Sequence, residues 1–204
     1  MTTTGWVLLA LGAALLWWAV ATYNRLVELR NRIANAFGQI DVQLKRRHDL
    51  VPNLVEVARA YLQHEAATLE AVIAARNQAQ GAAAAARAAP TSAGALGTLA
   101  SAEGLLGASL GRLMVVSEAY PELKADATMQ QLSEELASTE NRIGFARQAF
   151  NDQALDFNTA AQQFPALVVA RLAGFAEAPM LQSTRSEEER AAPRVQFPGA
   201  AAKP

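Results

Sequence analysis

Apolar residues along most of the chain recur every three or four positions, which is the spacing of an amphipathic α-helix. The first seam is built on Leu26, Ile33 and Ile40, which are seven residues apart. A second seam consists of Val51, Leu54, Val55, Ala58, Tyr61, Leu62, Leu69, Val72 and Ile73. The most regular seam consists of Leu136, Ile143, Phe150, Phe157 and Phe164. Because no stretch of the sequence alternates with the period of a strand, the pattern predicts an all-α protein.

An alanine- and glycine-rich segment separates the second seam from the last one. From about residue 91 to residue 118 its leucines keep helical spacing, and Gly97, Gly104 and Gly111 are seven apart. Each interior glycine destabilises a helix by about 1 kcal/mol relative to alanine, so packing must hold this one. We therefore expect the glycine stripe to allow the close approach of a neighbour. The sequence argues against a cofactor site there, because no strand precedes the glycines and no phosphate-binding motif is present.

The segment from Lys45 to Asp49 is a run of five polar or charged residues, and Pro52 follows it. One unbroken helix from Tyr23 to Gln80 would be roughly 87 Å long, far longer than the helix that follows. Proline removes a backbone donor and disfavours helical geometry in the residue before it. We therefore predict a turn within residues 46–52 and an antiparallel four-helix bundle. The alternative is one continuous helix that is kinked at Pro52.

The N-terminal segment is typical of a membrane anchor. The 17 residues from Gly5 to Ala21 carry no charge. As a helix they span roughly 25 Å, close to the lower limit for a hydrocarbon core of about 30 Å. Amphipathic aromatic residues favour the membrane–water interface, and we expect this role for Trp6, Trp17, Trp18 and Tyr23. Residues 1–22 are therefore predicted to be the N-terminal segment and transmembrane anchor.

Charge bias predicts the orientation of this anchor. No Lys or Arg precedes it, whereas Arg25, Arg30 and Arg32 follow it directly. The positive-inside rule then puts the N-terminus outside and the rest of the chain in the cytoplasm. A cleaved signal peptide is the competing interpretation, because residues 19–21 fit a small-x-small cleavage site, but its usual basic start is missing. We expect an uncleaved, single-pass protein of the inner cell membrane.

The C-terminal part divides into a short helix and a tail. The segment "ALVVARLAGF" predicts a short apolar helix that ends at Gly174 and either caps the bundle or lies on the membrane. The bundle is accordingly assigned to residues 23–175. Residues 176–204 are polar and rich in proline towards the end, which predicts a flexible tail. Val195 and Phe197 are candidates for docking as a short extended segment.

Composition argues against catalysis and against nucleic-acid binding. The net charge is −1 and the chain contains no cysteine. Its two histidines, His48 and His64, would lie roughly 20 Å apart in the predicted hairpin. No zincin, di-iron or Ser-hydrolase motif is present. We therefore expect no catalytic residue, no cofactor, no metal site, no nucleic-acid partner and no enzymatic activity.

Several local motifs carry a family resemblance. They are "IDVQLKRR-x-DL-x-PNLV", "HE-x-x-x-LE-x-V", "AYP-x-LK", "TEN-x-I" and the closing "PRVQF". In combination they resemble the LemA family of bacterial membrane proteins. The resemblance implies an antiparallel four-helix bundle on the cytoplasmic side of one N-terminal span. At Phe150-Asn151 and Phe157-Asn158 the family tends to have Tyr-Asn, so this chain lacks two hydroxyl groups.

The polar run at residues 45–49 has two interpretations. In the first, it is the solvated tip of the hairpin. Asp49 caps the second helix, and the positive charges of Lys45, Arg46 and Arg47 interact favourably with the dipole at the C-terminal end of the first helix. In the second, Lys45, Arg46, Arg47, His48 and Asp49 form a docking patch for a partner. At the other connection, Asp126 is a candidate cap for the last long helix.

Two classes of function agree with these features. The first is a membrane-anchored scaffold or adaptor that mediates protein–protein interaction. Its expected partners are the lipid bilayer, a membrane or cytoplasmic protein, and a second copy bound through the anchor or the glycine-lined face. The second class is a sensor or ligand-binding module that relays a signal along the bundle. The few residues before the span are too short for an outer ligand domain, which favours the scaffold.

Overall fold

The computed structural model describes residues 2–181, and this part of the chain contains six α-helices and no strand. The prediction of an all-α protein is confirmed. The helices are α1 (Thr3–Tyr61), α2 (Ala66–Ala88), α3 (Ala93–Ser117), α4 (Pro121–Ala125), α5 (Ala127–Gln162) and α6 (Ala166–Leu172).

Helix α1 is continuous from the apolar N-terminal segment through the polar run and beyond Pro52. The predicted turn at residues 46–52 is therefore wrong, and the chain turns between Leu62 and Glu65 instead. Pro52 has no N–H to donate to the carbonyl of His48, four residues earlier. Arg76 of α2 supplies the missing donor, because its Nε lies 3.0 Å from that carbonyl oxygen. A tertiary contact thus satisfies the group that the proline leaves free, and the helix continues.

One stripe of α1 faces the helical core along its whole length after the apolar segment. Residues seven apart on this stripe, from Leu26 and Ile33 to Leu54, are buried. Arg47 occupies the same heptad position between Ile40 and Leu54 and is buried as well. The first two predicted seams are therefore confirmed as core or packed against it. The first seam and the part of the second up to Tyr61 share one face of α1, whereas Leu69, Val72 and Ile73 lie on α2, beyond the turn.

The other long helices pack around this stripe. Helix α5 runs antiparallel to α1, as the contacts of Tyr61 with Asp126 and of Phe37 with Phe150 indicate. Helix α2 also runs back along α1 and packs against α3. The largest fully buried side chains are Phe37, Phe150, Leu26, Ile33, Ile40, Leu44, Leu54, Leu62, Leu106, Leu113, Leu123 and Ile143.

Two connections are fixed by capping side chains. Ser92 accepts a hydrogen bond from the N–H of Ala95 at the start of α3. Asp126 accepts one from the N–H of Met129 at 2.9 Å, which confirms it as the cap of α5. The interpretation of Asp49 as a cap is wrong, because it lies inside α1 and accepts from Lys45.

Within residues 2–181, no other helix contacts the glycine stripe of α3. Gly97, Gly104 and Gly111 are exposed, and a Cβ added at any of them would have no neighbour within 4 Å. The expectation that a neighbouring helix of the same chain approaches this stripe is wrong. The leucines of α3 supply its packing instead, since Leu99, Leu106 and other members of that seam are buried.

Two helices in the described part of the chain are long and apolar enough to cross a membrane, judged by length and composition. They are α1, near its N-terminus, and α3. None of the apolar window in α1 is buried, whereas 33% of that in α3 is. The N-terminal part of α1 is therefore the better candidate span, as the sequence predicts.

Candidate functional site

The most unusual feature of the core is a buried cluster of charged and polar side chains about three quarters of the way along α1. Arg47 Nη1 lies 3.1 Å from Glu103 Oε2 of α3 and 2.8 Å from Glu140 Oε2 of α5. His48 Nε2 lies 2.6 Å from Glu103 Oε1. This charge cluster (Arg47, His48, Glu103 and Glu140) therefore joins three helices at one level.

The periodicity of the helices explains why these charges are buried. Arg47 takes a core position of α1, and Glu103 takes a core position of α3 between Leu99 and Leu106. An isolated buried charge would be strongly destabilising, so each must have a partner of opposite sign. Glu140 differs from the others, because its side chain is 35% exposed and it closes the cluster at the solvent edge.

The cluster can fix the register and the orientation of three helices. The ion pairs form only when Arg47, Glu103 and Glu140 lie at the same height on α1, α3 and α5. Sliding one helix along another would break them and is therefore disfavoured. In the described part of the chain, no group of three or more His, Asp or Glu side chains is placed to hold a metal ion. The arrangement is therefore suited to holding the three helices in one relative position.

A second polar contact lies at the far end of α1, away from the candidate span. The Tyr61 hydroxyl donates to Asp126 Oδ2 at 3.1 Å. This bond raises the pKa of Tyr61, because it stabilises the protonated phenol and because the carboxylate is negative. The pKa of Asp126 is lowered, mainly by the hydrogen bond from the Met129 N–H. The contact ties the end of α1 to the start of α5.

A pair of salt-bridged side chains links α1 to the end of α2. The Arg87 guanidinium donates to both carboxylate oxygens of Asp41, with distances of 2.8 and 2.7 Å. The hydrogen bond and the charge of Asp41 raise the pKa of Arg87 further above its ordinary value. The two-pronged geometry fixes where α2 ends along α1.

Two asparagines of α5 hold the chain that follows α6. Asn158 donates to the carbonyl of Ala178 at 2.9 Å and accepts from its N–H at 2.8 Å. Asn151 does the same for Leu181, at 2.7 and 2.8 Å. Seven helical residues span about 10.5 Å and three extended residues about 10 Å, so the two spacings match. This asparagine pair binds main-chain atoms and fixes residues 178–181 along α5.

The docked segment changes the predicted domain boundary. Residues 176–181 belong to the predicted flexible tail, yet Ala178 and Leu181 are buried. That part of the prediction is wrong, because the bound chain continues at least to Leu181. The remaining tail, including Val195 and Phe197, lies outside the described residues.

An aromatic cluster closes the other end of the core, next to the candidate span. The ring centroid of Phe175 lies 5.7 Å from that of Tyr23 and 6.0 Å from that of Phe157. Tyr23 is on α1 and Phe157 on α5, so Phe175 bridges these helices just beyond the apolar segment. The lack of a hydroxyl at Phe157 suits this packing.

Comparison with known proteins agrees with this architecture. A family model described as the LemA family matches residues 36–197, which is most of the chain. The chain belongs to the LemA family. The matched part includes α2 to α6, the charge cluster and the asparagine pair.

Curated relatives match part of this LemA-family chain. Magnetosome protein MamQ of Magnetospirillum gryphiswaldense is 35% identical over 82 residues, 40% of this chain and 30% of that protein. Magnetosome proteins MamQ 1 and MamQ 2 of Paramagnetospirillum magneticum are each 33% identical over 84 residues, 41% of this chain and 31% of theirs. The matching segment thus spans less than a third of these relatives. Together, the family and the apolar N-terminal helix indicate a membrane-associated helical protein.

The residues predicted to form a docking patch in this LemA-family chain are not on one surface. Lys45, Arg46 and Asp49 are exposed, whereas Arg47 and His48 are buried in the charge cluster. The patch of five is therefore wrong as a surface, and its location at the tip of a hairpin is wrong too. Arg46 pairs instead with Glu135 of α5.

The residues predicted as membrane-interface anchors lie along the N-terminal part of α1, and their role at a membrane stays a prediction. Trp6, Trp17 and Tyr23 are exposed, and Trp18 is partly covered. Tyr23 differs from the tryptophans because it also packs against Phe175. It therefore joins the apolar segment to the helical core.

Sequence reasoning missed Glu103, Glu140, Arg76 and the asparagine pair. For Glu103 a signal was present, since it is the charged member of an otherwise leucine-rich seam in α3. For the asparagines the signal was their seven-residue separation on the core-facing side of α5. Nothing local in the sequence indicates that Arg76 donates to a carbonyl of α1.

Proposed function

We propose that this LemA-family protein is a membrane-anchored scaffold or adaptor without catalytic activity of its own. Its helices act as one antiparallel bundle at the inner face of the bacterial cell membrane. There it mediates protein–protein interaction, with a membrane or cytoplasmic protein or a second copy as partner. It requires no cofactor and no nucleic acid.

The observation that carries this proposal is the continuity of α1. The same helix contains the apolar segment and the core stripe, without a flexible joint between them. The charge cluster fixes α3 and α5 relative to α1, and the salt bridge between Arg87 and Asp41 fixes α2. A body held in this way presents each outer surface at a set height and direction relative to the bilayer, which is what an adaptor needs.

Site-specific crosslinking in native membranes tests the proposal. Photoreactive residues replace Val115 on α3, Phe145 on α5 and Val42 on α1, which are all large exposed apolar positions. We expect discrete protein adducts from at least one of these positions, identified by mass spectrometry, and a mass above that of the monomer in mild detergent. A photoreactive residue at a buried position such as Ala79 is the matched control. A monomeric mass with no adduct from any exposed position contradicts a scaffold.

The polar run can be tested separately as part of a docking surface. Because Arg47 is buried, replacing it would disturb the fold, so the informative changes are Lys45→Gln and Arg46→Gln. Arg59→Gln, another exposed cation on α1, is the control. Loss of a crosslinked partner in the first two variants alone supports docking there. Equal recovery in all three rejects it.

The alternative function is a membrane-tethered sensor that relays a signal through the bundle. The observation that favours it is the link from the span to the charge cluster, since Arg47 lies on the same helix, about 39 Å beyond Ala21. A relay needs two arrangements of the helices. Spin labels at Val42 and Val115 would report them as two distances. One unchanged distance in bilayers of different thickness would reject this alternative.

A further inference from the structure

Helix α6 and the turn before it carry an apolar stripe that is largely exposed within the described part of the chain. It consists of Phe164 in that turn and of Val168 and Leu172 on α6, which follow at intervals of four residues and have exposed fractions of 84%, 50% and 85%. This set is called the α6 stripe below. The other side of α6 packs inward through Ala170, and the chain then packs through Phe175. Phe164 also continues the heptad seam of α5, which predicts burial, yet it is among the most exposed apolar residues.

The packing of α5 on α1 gives the height of this stripe. Phe37 contacts Phe150, and the two helices are antiparallel. Tyr23 lies fourteen residues before Phe37, and Phe164 lies fourteen residues after Phe150. In an antiparallel pair, these two steps lead to the same level. Tyr23 in turn contacts Phe175, directly after α6. The stripe therefore lies at the level of Tyr23, about 3 Å beyond the end of the uncharged segment at Ala21.

This level coincides with the edge of a bilayer that holds the N-terminal part of α1. The uncharged segment of 17 residues covers roughly 25 Å, less than a hydrocarbon core of about 30 Å. A short span is accommodated by local thinning, which draws nearby protein surface towards the membrane. Exposed apolar side chains at this height would meet lipid rather than water.

The charges around α6 fit a lipid surface as well. Arg171 is its one charged residue and is exposed. No Asp or Glu occurs between Asp156 and Glu177. Arg25 follows the span on α1 and is also exposed. Basic side chains beside an apolar stripe favour anionic headgroups, and acidic ones would be repelled.

We propose that Phe164, Val168 and Leu172 insert into the interfacial layer of the bilayer, so that α6 is a second membrane contact beside the span. The inference rests on membrane anchoring through α1, and it is independent of which protein the scaffold binds. With two contacts, the helical core is held against the membrane face and cannot tilt freely about one helix.

Site-directed spin labelling of the full-length chain tests this contact. The protein has no cysteine, so single variants can be labelled without altering other positions. The variants are Val168→Cys and Leu172→Cys, with Phe145→Cys as the matched exposed control on α5 and Leu15→Cys inside the span. Each is placed as one chain per nanodisc of phosphatidylcholine and phosphatidylglycerol, and its accessibility to oxygen and to a water-soluble nickel chelate is measured.

We expect the oxygen-to-nickel ratio at residues 168 and 172 to rise above that at residue 145, towards the ratio at residue 15. A water-like ratio at 168 and 172, with a lipid-like ratio at 15, overturns the proposal while leaving the anchor intact. A label at 172 that neither reagent reaches also overturns it, because the stripe would then be covered by protein. A water-like ratio at residue 15 overturns the anchoring itself.

Discussion

The carbonyl that Pro52 leaves free gives a quantitative test of why α1 does not break. Arg76 Nε donates to His48 O at 3.0 Å, and His48 is buried. Replacing Arg76 with Met keeps most of the side-chain volume but removes the donor. A buried acceptor without a partner costs about 1–3 kcal/mol, so we expect Arg76→Met to lower the free energy of unfolding by that amount.

The same change should matter little when residue 52 can donate. In a Pro52→Ala background the N–H of residue 52 reaches the His48 carbonyl, as in an ordinary helix. Arg76→Met should then cost less than about 0.5 kcal/mol, which is usual for a surface substitution. The coupling energy of Pro52→Ala and Arg76→Met is the difference between these two costs, and we therefore expect about 0.5–3 kcal/mol from the double-mutant cycle.

Urea unfolding in mild detergent, followed by circular dichroism, measures the four free energies of this cycle. Arg59→Met is the control, since Arg59 is an exposed arginine of α1 that pairs only with nearby Glu56. If Arg76→Met costs the same with Pro52 as with Ala at that position, the hydrogen bond is not what allows the helix to continue, and our explanation fails.

Three further predictions concern the core and its charges. Glu103→Gln should lower the free energy of unfolding by about 3–5 kcal/mol because it breaks a buried ion pair, whereas Glu135→Gln at the surface should cost about 0–1 kcal/mol. Equal effects in urea unfolding would contradict the role of the charge cluster. Phe150→Ala should cost about 3–5 kcal/mol through the cavity it leaves, while Phe145→Ala, at a position 75% exposed, should stay within about 0.5 kcal/mol. The pKa of Asp126 is lowered on folding, so its stabilising contribution is present above the ordinary value of 3.8 and is lost as the pH falls through the folded-state value. The melting temperature should therefore fall more between about pH 5 and pH 3 in the wild type than in Asp126→Asn, and parallel curves would contradict this.

The helices and most of the core could be predicted from the sequence because their signal is local. A residue such as Ile33 or Ile143 reveals its burial through neighbours three, four and seven positions away. The cap at Asp126 was also predictable, since a short acidic side chain before an apolar seam is a local pattern. The same holds for the apolar N-terminal segment.

The predicted position of the hairpin turn is wrong because the actual position depends on two contacts between residues far apart in sequence. The first contact is the packing of α1 on α5. A long α1 predicts exposed apolar seams only if its partner is the shorter α3, but α5 has 36 residues and covers almost all of the part after Tyr23. The second contact is the hydrogen bond from Arg76, which satisfies the carbonyl that Pro52 leaves free. Arg76 lies 24 residues away from the proline in sequence. Neither contact can be read from residues near the proline.

One local signal did argue for a continuous helix. Leu26, Ile33, Ile40, Arg47 and Leu54 are each seven residues apart, so the heptad register passes through the polar run without a shift. A turn would reset that register. The charge at position 47 argues against burial, because a buried arginine is rare unless it is paired. Its partner Glu103 is on another helix, so the pairing cannot be recognised from the residues around Arg47.

The unbroken α1 also restricts how the gene can change. One residue inserted between Tyr23 and Leu26 would turn everything after it by about 100° about the helix axis and raise it by 1.5 Å. Phe175, and with it the α6 stripe, would then swing away from the side of α1 on which Tyr23 lies. Insertions and deletions should therefore be rare between Tyr23 and Leu26. They should be tolerated at the turn near Gln63, where an added residue does not rotate one part of a helix relative to the other.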